Sequence, residues 1–192
     1  MILIYEGSHF RDPKERKKIE SLFKDQKIRW ISESMLDHTI DELLKAPDDQ
    51  VTESPVQNAV ASSLSKKVYP NKKHGNPALI YVTDMHRERL EKIPDLLDKN
   101  GFDDLFIAVQ TLANQSWTLK ELLDEMKKEQ AYFDKRKVLE SLIQAANPER
   151  MKTEPKYAEA VMTCWNMLRQ PEFPERLLDM AIEMLDAANR DI

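Results

Sequence analysis

One pattern occurs twice along this chain, and it constrains the fold more than any single residue does. Leu3-Ile-Tyr5, Ile19-Glu-Ser-Leu22-Phe23 and Thr39-Ile-Asp-Glu42-Leu43-Leu44 recur, in the same order and at a near-constant offset, as Leu79-Ile-Tyr81, Ile93-Pro-Asp-Leu96-Leu97 and Thr118-Leu-Lys-Glu121-Leu122-Leu123. The first member of each set sits in a continuous apolar run, Ile2–Tyr5 and Ala78–Val82, which reads as a strand buried on both faces. The second is the apolar stripe of a covering helix. The third is a capping box, in which a threonine hydroxyl accepts from the third helical amide and the glutamate reaches back to the threonine's own amide. With Ile28–Ile31 and Leu105–Val109 as the remaining strands, the pattern predicts two βαβα halves, residues 1–45 and 78–133, from duplication or from convergence on one template.

The expected fold is therefore α/β, a small four-stranded parallel sheet in the order 2-1-3-4 with a C-terminal helical appendage. Right-handed crossovers and tandem halves place the strands starting at Ile2 and Ala78 side by side at the centre. Local signals set the helix ends: Asp12-Pro13 starts the first helix, Pro94 kinks or restarts the third, and Asn100-Gly101 ends it in a left-handed cap. Residues 46–77 link the halves, with a short helix over 54–64 and then a basic loop, Lys66–Gly75. Trp117, one residue before the Thr118 cap, reads as a staple fastening the preceding loop to the longest helix.

No strand signal follows Val138, so residues 134–192 form a helical extension. Tyr157, Val161, Cys164, Trp165 and Leu168 stripe one helix, and Leu177, Leu178, Ala181, Ile182 and Leu185 stripe the last. Met162, Met167, Met180 and Met184 fall off those stripes, which marks the extension as the place for an unknown protein partner or for self-association.

Composition narrows the function classes. Three glycines against nine methionines in 192 residues favour helix. Cys164 is the lone cysteine, so no intrachain disulfide forms, and a reducing, cytoplasmic setting is the natural reading. The opening residues lack the basic and apolar segments of a signal peptide, and no run approaches the roughly 20 apolar residues of a membrane span. A net charge of -5 spread along the chain argues against a general nucleic-acid binder.

Thr111-x-x-Asn114-x-x-Trp117-Thr118, followed by Glu121-Leu122-Leu123 and Glu129, resembles the signature of a bacterial family known only as domain of unknown function 3783. The resemblance spans residues 1 to about 133 and includes an Ile28-Arg-Trp-Ile31 second strand and a Leu-Leu pair ahead of the linker. It implies a fold and no activity.

In an open parallel sheet, ligands bind beyond the carboxyl ends of the strands. That rule selects Glu6, Ser8 and His9, then Glu33, then Asp84 and His86, and last Asn114 and Trp117, as candidate ligand-binding residues. Imidazoles and carboxylates converging there would suit proton transfer or a divalent metal. Their spacing matches no metal motif, no nucleotide-binding glycine pattern and no nucleophile elbow, so neither metal nor cofactor is assigned. The leading expectation is a non-catalytic interaction or regulatory module. The alternative is a small-molecule- or metal-dependent enzyme with its site at the strand ends.

Overall fold

The computed structural model describes residues 1–7, 10, 12–47, 77–102, 105–170 and 173–190. Ser8, His9, the helix expected over 54–64 and the basic loop at 66–75 lie outside the described residues. The chain divides into two compact units, Met1–Asp124 and Glu125–Ile192.

In the first unit the order is β1 (Ile2–Tyr5), α1 (Pro13–Leu22), β2 (Ile28–Ile31), a 3-10 turn (Glu33–Met35), α2 (Ile40–Lys45), β3 (Leu79–Val82), α3 (Arg87–Leu90), α4 (Ile93–Asp98), β4 (Phe106–Val109) and a second 3-10 turn (Asn114–Ser116). The helix α5 (Leu119–Gln144) starts here and runs into the second unit. Helix starts follow the predicted chemistry. The Asp12 carboxylate accepts from the Lys14 amide at 2.8 Å with Pro13 in the first turn. Pro94 sits at the start of α4, separating it from α3, because proline has no amide to donate into the preceding turn. Gly101, at φ +75°, supplies the left-handed residue that ends α4.

The four strands lie in the order β2-β1-β3-β4. They are not all parallel: β1 pairs with β2 and β3 with β4 in parallel, but β1 and β3 are antiparallel, with Ile2 opposite Val82 and Tyr5 opposite Leu79. The expected all-parallel sheet is thus corrected to a mixed one. Unbroken apolar runs report that both faces are covered, and they read identically whichever way the neighbouring strand points. On one face Ile2, Ile4, Ile80 and Val82 pack with Phe10, Ile19 and Phe23 and with Ile93, Leu97 and Phe102. Pleating turns Leu3, Tyr5, Leu79 and Tyr81 to the other face, all of them buried. Arg29, opposite Leu3, is also buried and donates to the Leu43 and Leu44 carbonyls, which ties α2 to that side. Burying each such aliphatic side chain contributes about 1.5–3 kcal/mol before chain entropy is counted.

The antiparallel docking has a visible counterpart at the two capping boxes. Thr39 and Thr118 form an antiparallel bridge. The Ile40 amide donates to the Trp117 carbonyl at 2.9 Å, and the Leu119 amide donates to the His38 carbonyl at 3.0 Å. These are the first amides of α2 and α5, two of the donors that a helix cannot satisfy internally. Each box does the rest itself: Glu42 N donates to Thr39 Oγ1 at 3.2 Å and Glu121 N to Thr118 Oγ1 at 3.1 Å. In return Thr39 N and Thr118 N each donate to the paired glutamate at 2.8 Å. The hydrogen bond from the threonine amide does most to hold both carboxyls below their ordinary value of 4.5.

The second unit holds most of α5, then α6 (Pro148–Thr153), α7 (Pro155–Leu168) and α8 (Glu175–Arg190). Its core is a separate set: Leu139, Tyr157, Val161, Cys164, Phe173, Leu178, Ala181 and Leu185. Polar groups inside it are matched. Tyr157 Oη accepts from Asn147 N at 2.9 Å and donates to Asn189 Oδ1 at 2.7 Å, and Asn189 Nδ2 donates to the Leu142 carbonyl at 3.1 Å. Arg136 donates to the Leu168 and Gln170 carbonyls, closing the C-terminal end of α7. Lys135 pairs with Glu175 and Asp179, each at 2.7 Å, which raises its pKa. Three placements differ from the expected stripes. Trp165 and Leu177 are 46% and 40% exposed instead of buried, while Met167 packs on the core. Residues at a stripe's edge are assigned by neighbours in space, which periodicity alone does not give.

Candidate functional site

The antiparallel central pair decides what can converge. Glu6 leaves the sheet where β3 enters it, and Asp84 lies at the opposite end, beyond Val82, which faces Ile2. Four residues of strand put about 10–14 Å between those ends. The carboxyl ends of the four strands therefore lie at opposite ends of the sheet, those of β1 and β2 at one and those of β3 and β4 at the other.

At the first, Glu6 is paired with Arg16, whose Nε donates to the Phe10 carbonyl at 2.9 Å and whose guanidinium lies 4.9 Å from the Trp30 ring centre. Trp30 Nε1 in turn donates to Glu20 at 2.8 Å. This cluster ties the end of β1 to α1 and β2, and Glu6 is engaged in it. Glu33 opens the 3-10 turn after β2 and is exposed.

At the second, Asp84 and His86 line a cavity of about 510 Å3 together with Met85, Val109, Gln110, Thr111, Leu112 and Gln115. It sits past the carboxyl ends of the parallel pair β3 and β4, where the strand-end rule points. Asp84 holds φ +51°, the left-handed conformation that aspartate adopts more readily than most residues but still at a cost. His86 is the N-cap residue of α3 and is exposed. Among the described residues, no three of His, Cys, Asp and Glu stand close enough to hold a metal ion. The arrangement offers one imidazole, one carboxylate and the Thr111 hydroxyl to a small polar molecule, which suits proton transfer or hydrogen bonding.

Asn114 stands behind that cavity and faces the protein. Its Oδ1 accepts from Tyr81 Oη at 2.7 Å and from Thr111 N at 2.9 Å, and its Nδ2 donates to the Val109 carbonyl at 2.9 Å. All three bonds fix the path from β4 to α5, and burial pushes the Tyr81 phenol up to about 12, so it keeps its proton and donates it to the Asn114 carbonyl oxygen. Trp117 ends the 3-10 turn, is half-buried and gives its carbonyl to Ile40.

A further concave surface lies in the second unit. It is a groove of about 570 Å3 with Phe133 and Trp165 on its walls, Leu168 beside them, and Gln130, Arg136, Lys137, Glu140 and Arg169 around them. Residues 130–140 belong to α5 and Trp165 and Leu168 to α7. Sequence reading missed it because Trp165 falls inside an apolar stripe, and the spacing of Phe133 from Lys137, one helical turn, is also that of an ordinary solvated face.

Residues 81–133 match the model of a family described as Domain of unknown function (DUF3783). The matched segment runs from β3 through the Asp84 cavity and both capping residues of α5 to Phe133. No curated protein and no solved structure matches the chain.

Proposed function

We propose that this protein is an interaction module whose C-terminal helices carry the association surface, with the sheet unit as its folded scaffold. One observation carries the reading. Of the large apolar side chains exposed among the described residues, Phe133, Val138, Met162, Trp165, Leu177, Met180 and Met184 lie in the helical unit, against Val109 and Leu112 in the sheet unit. Apolar surface concentrated in this way marks a place where another molecule docks. The reciprocal amide bonds at Thr39 and Thr118 support reading the two halves as one template used twice.

A benzophenone side chain placed at Phe133, Met180 or Leu112 tests this in cells. The expected result is one protein, identified by mass spectrometry, joined from both helical positions and not from Leu112. Adducts from Leu112 alone, or none from the helices, would overturn it.

The second reading is a small-molecule enzyme confined to the Asp84 cavity. It is favoured by the convergence of Asp84, His86 and Thr111 on one concave surface at the strand ends. Ligand-observed NMR against a library of small polar metabolites should then give hits that His86→Ala abolishes, and hits indifferent to that change would dismiss it.

A further inference from the structure

The groove on the helical unit has a sign as well as a shape. Arg136, Lys137 and Arg169 stand around Phe133, Trp165 and Leu168, with Glu140 as the single carboxylate among the lining residues, in a chain whose net charge is -5. Arg136 is held in place, anchored on the Leu168 and Gln170 carbonyls and 5.9 Å from the Tyr132 ring centre, while Lys137 is exposed and stands 3.7 Å from Asp134, which offsets part of its charge. Phe133 is oriented by an edge-on contact with Tyr132 at 5.8 Å. The walls are thus set by the fold, and the two large aromatic side chains stay 55% and 46% exposed.

We infer that this groove receives an acidic amphipathic helix of a partner protein, its apolar side chains between Phe133 and Trp165 and its carboxylates against Arg136, Lys137 and Arg169. Two helices with exposed apolar side chains between them form the type of groove into which a third helix lays its apolar face. Opposite charge at the rim sets partner choice and speeds encounter. A second copy of this chain is the poorer fit. On α8, which bears the exposed Leu177, Met180 and Met184, three of the four carboxylates are already engaged within the unit, Glu175 and Asp179 with Lys135 and Asp186 with Arg190. Nucleic acid is also a poorer fit, since three cations beside a glutamate do not make the basic track that a phosphate backbone requires.

The inference rests on the association reading above and is tested separately from it. The full chain is titrated into fluorescein-labelled helical peptides of about 18 residues, one with leucines along a single face and glutamates elsewhere, one with lysines in place of the glutamates. Binding of the glutamate peptide in preference to the lysine peptide is expected. Trp165→Ala and Arg169→Glu should each weaken it about tenfold or more, and Arg169→Glu should reverse the preference. Circular dichroism of both variants should match wild type, because neither residue belongs to the buried core. Equal binding of the two peptides, displacement by a uridine oligonucleotide, or a dimer of the full chain lost in Trp165→Ala would each overturn the proposal. If the peptide test fails while crosslinks from Met180 persist, the groove is wrong and the association reading stands.

Discussion

The two units solve the same problem, covering apolar surface, to different degrees. In the sheet unit β1 and β3 are buried on both faces, and the starts of α2 and α5 are tied to one another by backbone hydrogen bonds. In the helical unit one side of each helix closes a core, while Phe133, Trp165, Met162 and Met180 remain about half exposed or more. A strand satisfies its backbone only through neighbouring strands, so an apolar strand of this kind has to be enclosed by the rest of its unit. A helix satisfies its own backbone and can leave a flank open. The difference is what supports the proposed division into a scaffold unit and a docking unit.

The comparison is broken most sharply by core truncation. Ile80→Ala and Leu139→Ala each remove a fully buried side chain, one from each core, and each should cost about 2–5 kcal/mol. Since the two cores share no residue, thermal unfolding followed by calorimetry should show each substitution lowering its own transition. A single transition moved equally by both would mean that the units fold as one.

A smaller loss is expected at Asn114. Asn114→Ala leaves Tyr81 Oη and Thr111 N without their acceptor, and a buried unsatisfied group costs about 1–3 kcal/mol. Urea denaturation measures it, and an unchanged midpoint would show that water replaces the amide.

The capping threonines come next. Thr39→Ala and Thr118→Ala should each cost about 0.5–2 kcal/mol and by similar amounts, given their matching bonds. Their glutamates add a pH dependence with a defined sign. A carboxyl whose folded pKa is depressed stabilises the fold above its unfolded value and loses that contribution as pH falls through the folded one. With Glu42 and Glu121 both below 4.5, the caps should hold at neutral pH and weaken only as acid takes the medium below 4.5. Amide exchange at Glu42 and Glu121 between pH 5 and 3 follows this, and Glu121→Gln should flatten the response at its own helix.

The smallest effect sharpens the contrast. Trp165→Ala and Met180→Ala should change stability by about 0.5 kcal/mol or less, as for surface positions generally. A large loss at either, read by the same urea midpoint, would make that side chain part of the core and remove it from the docking surface.

How legible this was in the sequence depended on the range of the interaction. The capping boxes, the Pro94 break, the Gly101 turn and the strand order all follow from contacts within a few residues or from the repeat of apolar runs. Strand direction did not, because Leu3-Ile-Tyr5 carries the same burial signal beside a parallel or an antiparallel neighbour. The candidate site inherited that gap: Glu6 and Asp84 were grouped through an all-parallel sheet, and the reversal of β3 separates them while keeping Asp84 and His86 together. Asn114 was placed in the right loop, and its inward bonds to Tyr81 depend on a strand 33 residues away. The Phe133–Trp165 groove depends on helix packing across a similar span.

The central pairing of β1 with β3 also has a consequence for synthesis on the ribosome. Tyr5 emerges 77 residues before Val82, the last residue of the strand that completes the β1 ladder. At about 5–20 residues per second, β1 waits roughly 4–15 seconds with one edge open. During that interval Ile2-Leu-Ile-Tyr5, apolar on both sides, is a template for any other extended chain nearby. The nascent N-terminal half is thus the stage at which this protein is most exposed to mispairing, and a chaperone that holds short apolar strands would act on it there.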